Sequence, residues 1–218
     1  MAPLRSGPVS GPPVTGEWTR SELRLQLDHT TGGRWTGLRS GDHPWLTEDA
    51  PGLERLVVGD RDVSPPERAW RPAAALDRLG QPSGPPGWRV ETDDAALSRT
   101  VHGLSGAVRI GYRVAAAAPW RHRVELPLRT AEGAAELHGD PAGLVEVSGW
   151  AHCWVVDGRE ALGLHWTTEQ REDIALLGLA TTSADGVHRV ALGVGSTEVA
   201  VPARRDFGWR LVLTAWRS

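Results

Sequence analysis

Apolar and polar residues alternate along most of the sequence, and this period of two limits the possible folds more than any other feature. The clearest alternating runs are 23–27, 108–114, 124–128 and 209–213. A period of two places successive side chains on opposite faces of a half-buried β-strand. Glycine-containing turns separate these runs, at 31–33, 40–42, 157–158 and 185–186. Strands at short spacing, joined by such turns, predict an all-β antiparallel sandwich or barrel.

Residues 64–87 interrupt the alternation with a proline-rich excursion. Its prolines are Pro65, Pro66, Pro72, Pro82, Pro85 and Pro86. Proline cannot donate a ladder hydrogen bond, so this segment is not a central strand. Residues 73–79 are compatible with one short helix that ends at Gly80, and we expect at most this one helix in the chain. A loop this long is either a surface excursion or a functional cover, and both alternatives stay open.

The length and the net charge of the chain limit the kinds of protein that it can be. The 218 residues predict a disordered tail over 1–16 and a single β-sandwich domain over 17–218. A net charge of −3 and a pI of about 6.2 give no electrostatic basis for binding nucleic acid. No apolar run reaches the roughly 20 residues that span a membrane, and the first residues lack the apolar stretch of a signal peptide. We therefore expect a cytoplasmic protein; the sequence does not indicate its oligomeric state.

Several residue types are missing, and their absence excludes some chemistries. The 24 basic residues are all arginine, which excludes a Schiff-base lysine and the lysine of a phosphate loop. Cys153 is the only cysteine, so neither an internal disulfide nor a multi-cysteine zinc site can form. No paired metal-ligand spacing and no Gly-X-Ser-X-Gly nucleophile motif occurs. We expect no metal and no cofactor.

The stretch GWAHCWVVDGREALGLHW, residues 149–166, predicts a β-hairpin with Asp157-Gly158 as a type I′ turn. That turn pairs Val156 with Arg159, Trp154 with Ala161, His152 with Gly163 and Trp150 with His165. His152 and His165 are then diagonal neighbours. The face predicted to meet the core carries Ala151, Cys153, Val155, Leu162, Leu164 and Trp166. The opposite face carries Trp150, His152, Trp154, Val156, Arg159 and His165, and Glu160 near the tip is expected to be exposed.

The second hairpin face is a candidate ligand site. Flat aromatic rings beside hydrogen-bonding groups suit a sugar, which has apolar C–H faces and a hydroxyl rim. Ala161 and Gly163 are small and leave room above the sheet. A histidine near its ordinary pKa can donate or accept a proton at neutral pH. The alternative is that the tryptophans on this face only pack beneath a loop such as 64–87.

Three stretches resemble the strand-and-turn pattern of galactose mutarotase-like proteins, a family that includes the aldose 1-epimerases. They are LRLQLDHTTGGRWTGLRSGDHPWL (23–46), VRIGYRVAAAAPWRHRVELPL (108–128) and VAVPARRDFGWRLVLTAW (199–216). The resemblance implies a large antiparallel β-supersandwich. It also implies cofactor-free opening and reclosure of a sugar ring, with a histidine as acid and a glutamate as base. The family's Asn-Arg pair, Asn-His-X-Tyr-Phe stretch and C-terminal glutamate motif are missing, so the activity does not follow from the resemblance.

The candidate site residues follow from the hairpin and from the resemblance. The predicted catalytic residues are His152 or His165 as the acid, with Glu172, Asp173 or Glu198 as the base. The predicted substrate-binding residues are Trp150, Trp154, Arg159 and His122. Residues 167–173 are equally compatible with a solvated loop. His122 lies near the position of the family's histidine but shares parity with Val124, which favours a structural role in the core.

These observations leave three functional hypotheses. The first is a protein that binds a small-molecule sugar or polyol, with aldose 1-epimerase chemistry. The second is an accessory protein that binds a glycan or a protein without turnover. The third is an enzyme of specialised metabolism acting on another small cyclic substrate, because a fold does not fix a function.

Overall fold

The chain folds entirely from antiparallel β-strands wherever its structure is described. A computed structural model describes residues 17–28, 34–47, 52–64, 70–73, 87–130, 134–137, 143–148, 150–168, 175–182, 187–195, 200–203 and 207–218. No residue in these ranges is helical, so the described part of the chain contains no helix that could cross a membrane. The predicted tail over 1–16 and most of the proline-rich segment, including 74–79 of the predicted helix, lie outside the described residues. The all-β class is confirmed.

A nine-stranded sheet forms one layer of the molecule, in the order β12-β14-β15-β18-β10-β9-β8-β7, with β1 also paired to β18. Its strands are β1 (Thr19–Ser21), β7 (Arg71–Pro72), β8 (Gly87–Glu91), β9 (Ala95–Leu104), β10 (Ala107–Ala116), β12 (Ala134–Leu137), β14 (Trp150–Asp157), β15 (Glu160–Thr168) and β18 (Phe207–Arg217). Pro72 lies in β7 at the edge of this sheet, where its missing N–H costs no ladder bond. The prediction that the proline-rich segment contains no central strand is confirmed for these residues.

A six-stranded sheet forms the other layer, in the order β13-β16-β17-β11-β5-β6. Its strands are β5 (Leu53–Val58), β6 (Arg61–Asp62), β11 (Trp120–Arg129), β13 (Gly143–Ser148), β16 (Ala175–Thr182) and β17 (Val187–Val194). A small third sheet consists of β2 (Leu23–Asp28), β3 (Arg34–Ser40) and β4 (His43–Leu46).

The core lies between the two large sheets. Alternate residues of β10, among them Ile110 and Tyr112, are fully buried, and so are Val124 and Leu128 of β11 in the opposite sheet. β10 and β11 are consecutive in the chain but belong to different sheets, so the chain crosses the sandwich between them. One hydrophobic cluster joins residues from both layers. The predicted antiparallel sandwich is confirmed.

The hairpin β14–β15 forms, but its predicted register is wrong by two residues. The structure pairs Asp157 with Glu160, Trp154 with Gly163 and His152 with His165. The turn residues are Gly158 and Arg159, and Gly158 has a φ of 57°. A shift of two residues leaves the faces unchanged because side chains alternate with period two. The predicted core face is accordingly confirmed, with Cys153, Leu164 and the rest of that set buried.

The small third sheet accounts for the shifted turn. The carboxylate of Asp157 lies 3.5 Å from Nε2 of His43 in β4, and this contact keeps Asp157 in the strand. Glu160 accepts a hydrogen bond of 3.0 Å from the hydroxyl of Ser40 and lies 3.2 Å from Nε of Arg217. The side chain of Glu160 is only 14% exposed, so the expectation of an exposed Glu160 is wrong. Both errors have the same kind of cause, which is contacts with distant parts of the chain.

Candidate functional site

Three histidines and an arginine form one continuous row across five neighbouring strands of the nine-stranded sheet. The register places His152 opposite His165, His165 opposite Val212, Val212 opposite Arg109 and Arg109 opposite His102. We call these five residues the histidine row. All five are half-buried, whereas their strand neighbours, such as Leu164, Leu211 and Ile110, are fully buried. The row therefore lies on the outer face of the sheet, away from the core.

The corrected register brings the two predicted acids closer together. Directly opposed residues have Cβ atoms about 4.5–5.5 Å apart, so His152 and His165 can reach the same ligand. At the other end of the row, partial burial lowers the pKa of His102, and the charge of Arg109 lowers it further. His102 is thus held in its neutral form, able both to donate and to accept a hydrogen bond.

A second row runs beside the histidine row and widens the surface. Thr167 is opposite Arg210, Arg210 is opposite Gly111, and Gly111 is opposite Thr100. Gly111 has no side chain, and the hydroxyl of Thr100 is 3.0 Å from the position of a Cβ there. Val212 and Gly111 therefore form a low floor between the longer side chains of His165, Arg109 and Arg210.

The space predicted above the sheet at the tryptophan platform is largely filled by the ring of Trp154. A Cβ on Gly163 would lie 2.6 Å from the ring of Trp154, so this ring lies directly over the glycine. The ring of Trp216 makes a T-shaped contact with the ring of Trp154 at a centroid distance of 6.4 Å, and Trp154 is only 5% exposed. The space predicted above Gly163 is thus occupied, and Trp154 presents little surface. Trp150 is described by its backbone, which places it opposite Thr167.

The other predicted site residues lie apart from the histidine row or outside the described residues. Arg159 is exposed in the hairpin turn, and six residues of strand separate it from His165, or about 20 Å. Glu172, Asp173 and Glu198 lie outside the described residues, so the carboxylate base stays a prediction. Within the described ranges, no group of three or more potential metal-ligating side chains lies together.

His122 lies in the core rather than on an outer face. Nδ1 of His122 accepts a 3.0 Å hydrogen bond from Nε1 of Trp209, and the imidazole is fully buried. Burial lowers its pKa to about 3, and the positive charge of Arg99 contributes to the shift. A neutral imidazole that accepts at Nδ1 carries its proton on Nε2. This Nε2 has no hydrogen-bond partner in the described part of the chain.

A buried ion pair lies beside His122, and the sequence reasoning missed it. Arg99 of β9 donates from Nη1 to Oε1 of Glu54 in β5, and the hydroxyl of Tyr112 donates to the same oxygen at 3.1 Å. The guanidinium of Arg99 lies 4.8 Å and 5.1 Å from the ring centroids of Trp70 and Trp88. Burial raises the pKa of Tyr112, which keeps the phenol protonated. The available signal was parity, because Arg99 alternates in phase with Leu97 and Val101.

The outer face of the six-stranded sheet carries a second polar group that the sequence reasoning also missed. Nε of Arg55 in β5 lies 3.0 Å from Oε1 of Glu125 in β11, and the side chain of Glu125 is 33% exposed. Arg123, half-buried, precedes Glu125 on the same face. The residues opposite Arg123 and Glu125 are the small Gly193 and Ala191. This surface places a carboxylate and two guanidinium groups beside low backbone.

Comparison with known proteins supports the fold. No protein-family model matches the chain, and no curated protein matches it. Among solved structures, the fold is similar to that of a candidate aldose 1-epimerase from Escherichia coli K12, with a TM-score of 0.60 and 10% identity. That match covers 90% of this chain and 97% of the other. It is also similar to Slr1438 from Synechocystis sp. PCC 6803, with a TM-score of 0.55 and 10% identity, covering 91% and 93%. At this identity the likeness shows the fold alone.

Proposed function

We propose that this protein binds a sugar on the outer face of the nine-stranded sheet and that the histidine row forms the floor of the site. The observation that supports it is the row itself, in which His152, His165 and His102 share one line with Arg109. Half-buried imidazoles and a guanidinium around the apolar Val212 offer a sugar an apolar contact and several hydrogen-bonding groups. The structural likeness to a candidate aldose 1-epimerase agrees with a sugar as the ligand.

The proposed reaction is the interconversion of sugar anomers. His152 or His165 donates a proton to the ring oxygen while a carboxylate removes the proton of the anomeric hydroxyl, and the bond between C1 and the ring oxygen breaks. The carbonyl so formed turns its other face to the ring hydroxyl, and reclosure returns both protons. Glu172, Asp173 and Glu198 are the proposed bases. This reaction needs no cofactor.

The outer face of the six-stranded sheet is the second candidate position for the sugar. It is favoured by Glu125, a half-buried carboxylate beside Arg55 and Arg123, since the histidine row includes no carboxylate. In that position Glu125 is the base, and its ion pair with Arg55 keeps the carboxylate oriented. The residues opposite Glu125 and Arg123 are Ala191 and Gly193, which carry little or no side chain.

One set of variants tests the proposal and distinguishes the two faces. Binding of common hexoses is measured by calorimetry, and interconversion of their anomers by polarimetry. If the histidine row is the site, His152→Ala/His165→Ala abolishes conversion and Glu125→Gln does not. If the other face is the site, the effects are reversed. Glu91→Gln is the matched control, because Glu91 is exposed at the end of β8 and is paired with Arg89 at 2.6 Å. Equal rates for the double histidine variant and the unmodified protein would refute the first placement.

The same assays address a non-catalytic role. Binding without conversion would identify an accessory protein that retains the sandwich and a sugar site but not the chemistry. That outcome would agree with the absence of the family's Asn-His-X-Tyr-Phe stretch. Absence of binding for every hexose, with the protein folded, would refute the proposed ligand class.

A further inference from the structure

We infer that the core of the sandwich binds one internal water molecule, which accepts a hydrogen bond from Nε2 of His122 and donates one to Oε2 of Glu54. This site lies between the two large sheets and is separate from the sugar sites proposed on their outer faces. The observation that carries it is a buried donor and a buried acceptor on neighbouring strands, neither of which has a partner among the described residues.

The tautomer of His122 makes Nε2 the donor. Nδ1 accepts a hydrogen bond of 3.0 Å from Nε1 of Trp209, and an indole N–H can only donate. The neutral imidazole therefore carries its proton on Nε2. His122 is fully buried, and its Nε2 does not reach the solvent. A buried N–H needs an acceptor, because folding has removed its hydrogen bond to bulk water.

The carboxylate of Glu54 supplies the acceptor. Its Oε1 accepts hydrogen bonds from Nη1 of Arg99 and from the hydroxyl of Tyr112, the latter at 3.1 Å. Its Oε2 has no hydrogen-bond partner in the described part of the chain, although the side chain is only 7% exposed. Both oxygens of a carboxylate accept hydrogen bonds, so Oε2 can take a further donor.

The donor and the acceptor belong to diagonal neighbours on β11 and β5. Glu54 is opposite Val124, and His122 is opposite Leu56, so both side chains are on the core face. Diagonal positions are about 7–8 Å apart. Nε2 and Oε2 do not bond each other directly. One water molecule can bridge two polar atoms that are too far apart for a direct hydrogen bond.

The chemistry of the site favours water over an ion. The occupant must accept from an imidazole N–H and donate to a carboxylate, and water does both. The carboxylate of Glu54 repels an anion, and the guanidinium of Arg99 beside it repels a cation. The oxygen of Tyr112, whose proton is donated to Glu54, can accept the second proton of the water. Internal waters typically make about three hydrogen bonds to buried polar groups, and His122, Glu54 and Tyr112 supply them.

A crystal structure of the full chain, at a resolution that shows ordered waters, tests the site directly. We expect one density peak within hydrogen-bonding distance of both Nε2 of His122 and Oε2 of Glu54. A well-ordered core without such a peak would overturn the inference. A peak that contacts only one of the two atoms would overturn it as well.

NMR tests the same site in solution. The imidazole nitrogen shifts of His122 should identify the Nε2–H tautomer, and the Nε2 proton should show a cross-peak with water. The indole proton of Trp209 is the internal control, because it is bonded directly to Nδ1 and should show no such cross-peak. An Nδ1–H tautomer, or a resolved Nε2 proton without a water cross-peak, argues against the site and would refute it.

Matched double variants test the part played by Glu54. Glu54→Leu/Arg99→Met removes the acceptor together with its charged partner, so the water cross-peak of His122 should be lost. Glu91→Leu/Arg89→Met makes the same two substitutions at an exposed ion pair and should leave the cross-peak unchanged. Urea unfolding checks that each variant is folded.

A cross-peak that persists in folded Glu54→Leu/Arg99→Met would show that Glu54 does not hold the water, and it would overturn the bridge. If this variant does not fold, the crystal and NMR measurements on the unmodified chain decide the inference. Failure of the inference leaves the proposed sugar sites unaffected, because they lie on the outer faces of the sheets.

Discussion

The buried imidazole of His122 makes a quantitative prediction about stability and pH. Its pKa is about 3 in the folded protein, lowered by burial and by Arg99, against 6.5 for an exposed histidine. The unfolded chain therefore binds a proton at His122 more readily than the folded chain does. The stability that neutral His122 contributes is complete above pH 6.5 and is lost as the pH falls towards 3.

The size of this effect follows from the two pKa values. Between the two pKa values, the free energy of unfolding falls by about 1.4 kcal/mol for each unit of pH. His122 alone therefore lowers it by about 2 kcal/mol between pH 7 and pH 5. At pH 3 the loss relative to pH 7 is about 4 kcal/mol, because half of the folded molecules are then protonated at His122 as well. The matched variant is His122→Asn, because the Asn amide oxygen can accept from Nε1 of Trp209 in place of Nδ1, and Asn does not titrate.

Urea unfolding at pH 7 and pH 5 measures the difference. The unmodified protein should lose about 2 kcal/mol more than His122→Asn over this interval, because all other titrating groups are common to both. Equal losses in the two proteins would refute the account of His122 as a neutral, buried hydrogen-bond acceptor. An imidazole NMR signal of His122 that titrates near pH 6.5 would refute it as well.

Three further substitutions test the packing. Gly163→Ala should lower the free energy of unfolding by about 1–3 kcal/mol, because the new Cβ meets the ring of Trp154. Gly103→Ala is the control and should lower it less, because nothing lies within 4 Å of a Cβ there. Equal losses in the two variants would contradict the position of Trp154. Glu54→Leu should cost about 3–5 kcal/mol because it leaves the charge of Arg99 buried. The double variant Glu54→Leu/Arg99→Met should be more stable than Glu54→Leu alone. If the double variant instead loses as much unfolding free energy as the two single variants lose together, the two residues do not share an ion pair. Gly158→Ala should cost about 1 kcal/mol at its φ of 57°, and unchanged urea unfolding would exclude this turn geometry.

The alternation of apolar and polar residues predicted which side chains face the core, because successive side chains of a strand point to opposite faces of the sheet. Every core-face residue predicted for the hairpin is buried, although its register was misplaced by two residues. The register depended on the contact between Asp157 and His43, which are far apart in the sequence. Local turn chemistry contains no information about such a partner.

The histidine row could be predicted only in part. The hairpin sequence placed His152 and His165 on one face, but His102 and Arg109 join them only through the strand order β15-β18-β10-β9. That order links three separate parts of the chain, and alternation within one strand does not specify which strands are neighbours. The buried pair of Glu54 and Arg99 was missed for the same reason, since each charge is tolerated only because of the other.

The most direct test of the sugar-binding proposal is an imidazole ¹⁵N NMR titration of the full chain with the sugar that binds most tightly. We expect the resonances of His152 and His165, which lie directly opposite each other, to shift together and to saturate at the same ligand concentration. The resonance of His122, buried between the sheets, should not shift. Saturable binding that leaves all three resonances of the histidine row unchanged would contradict the account and would place the sugar elsewhere, with the face of Glu125 the first alternative.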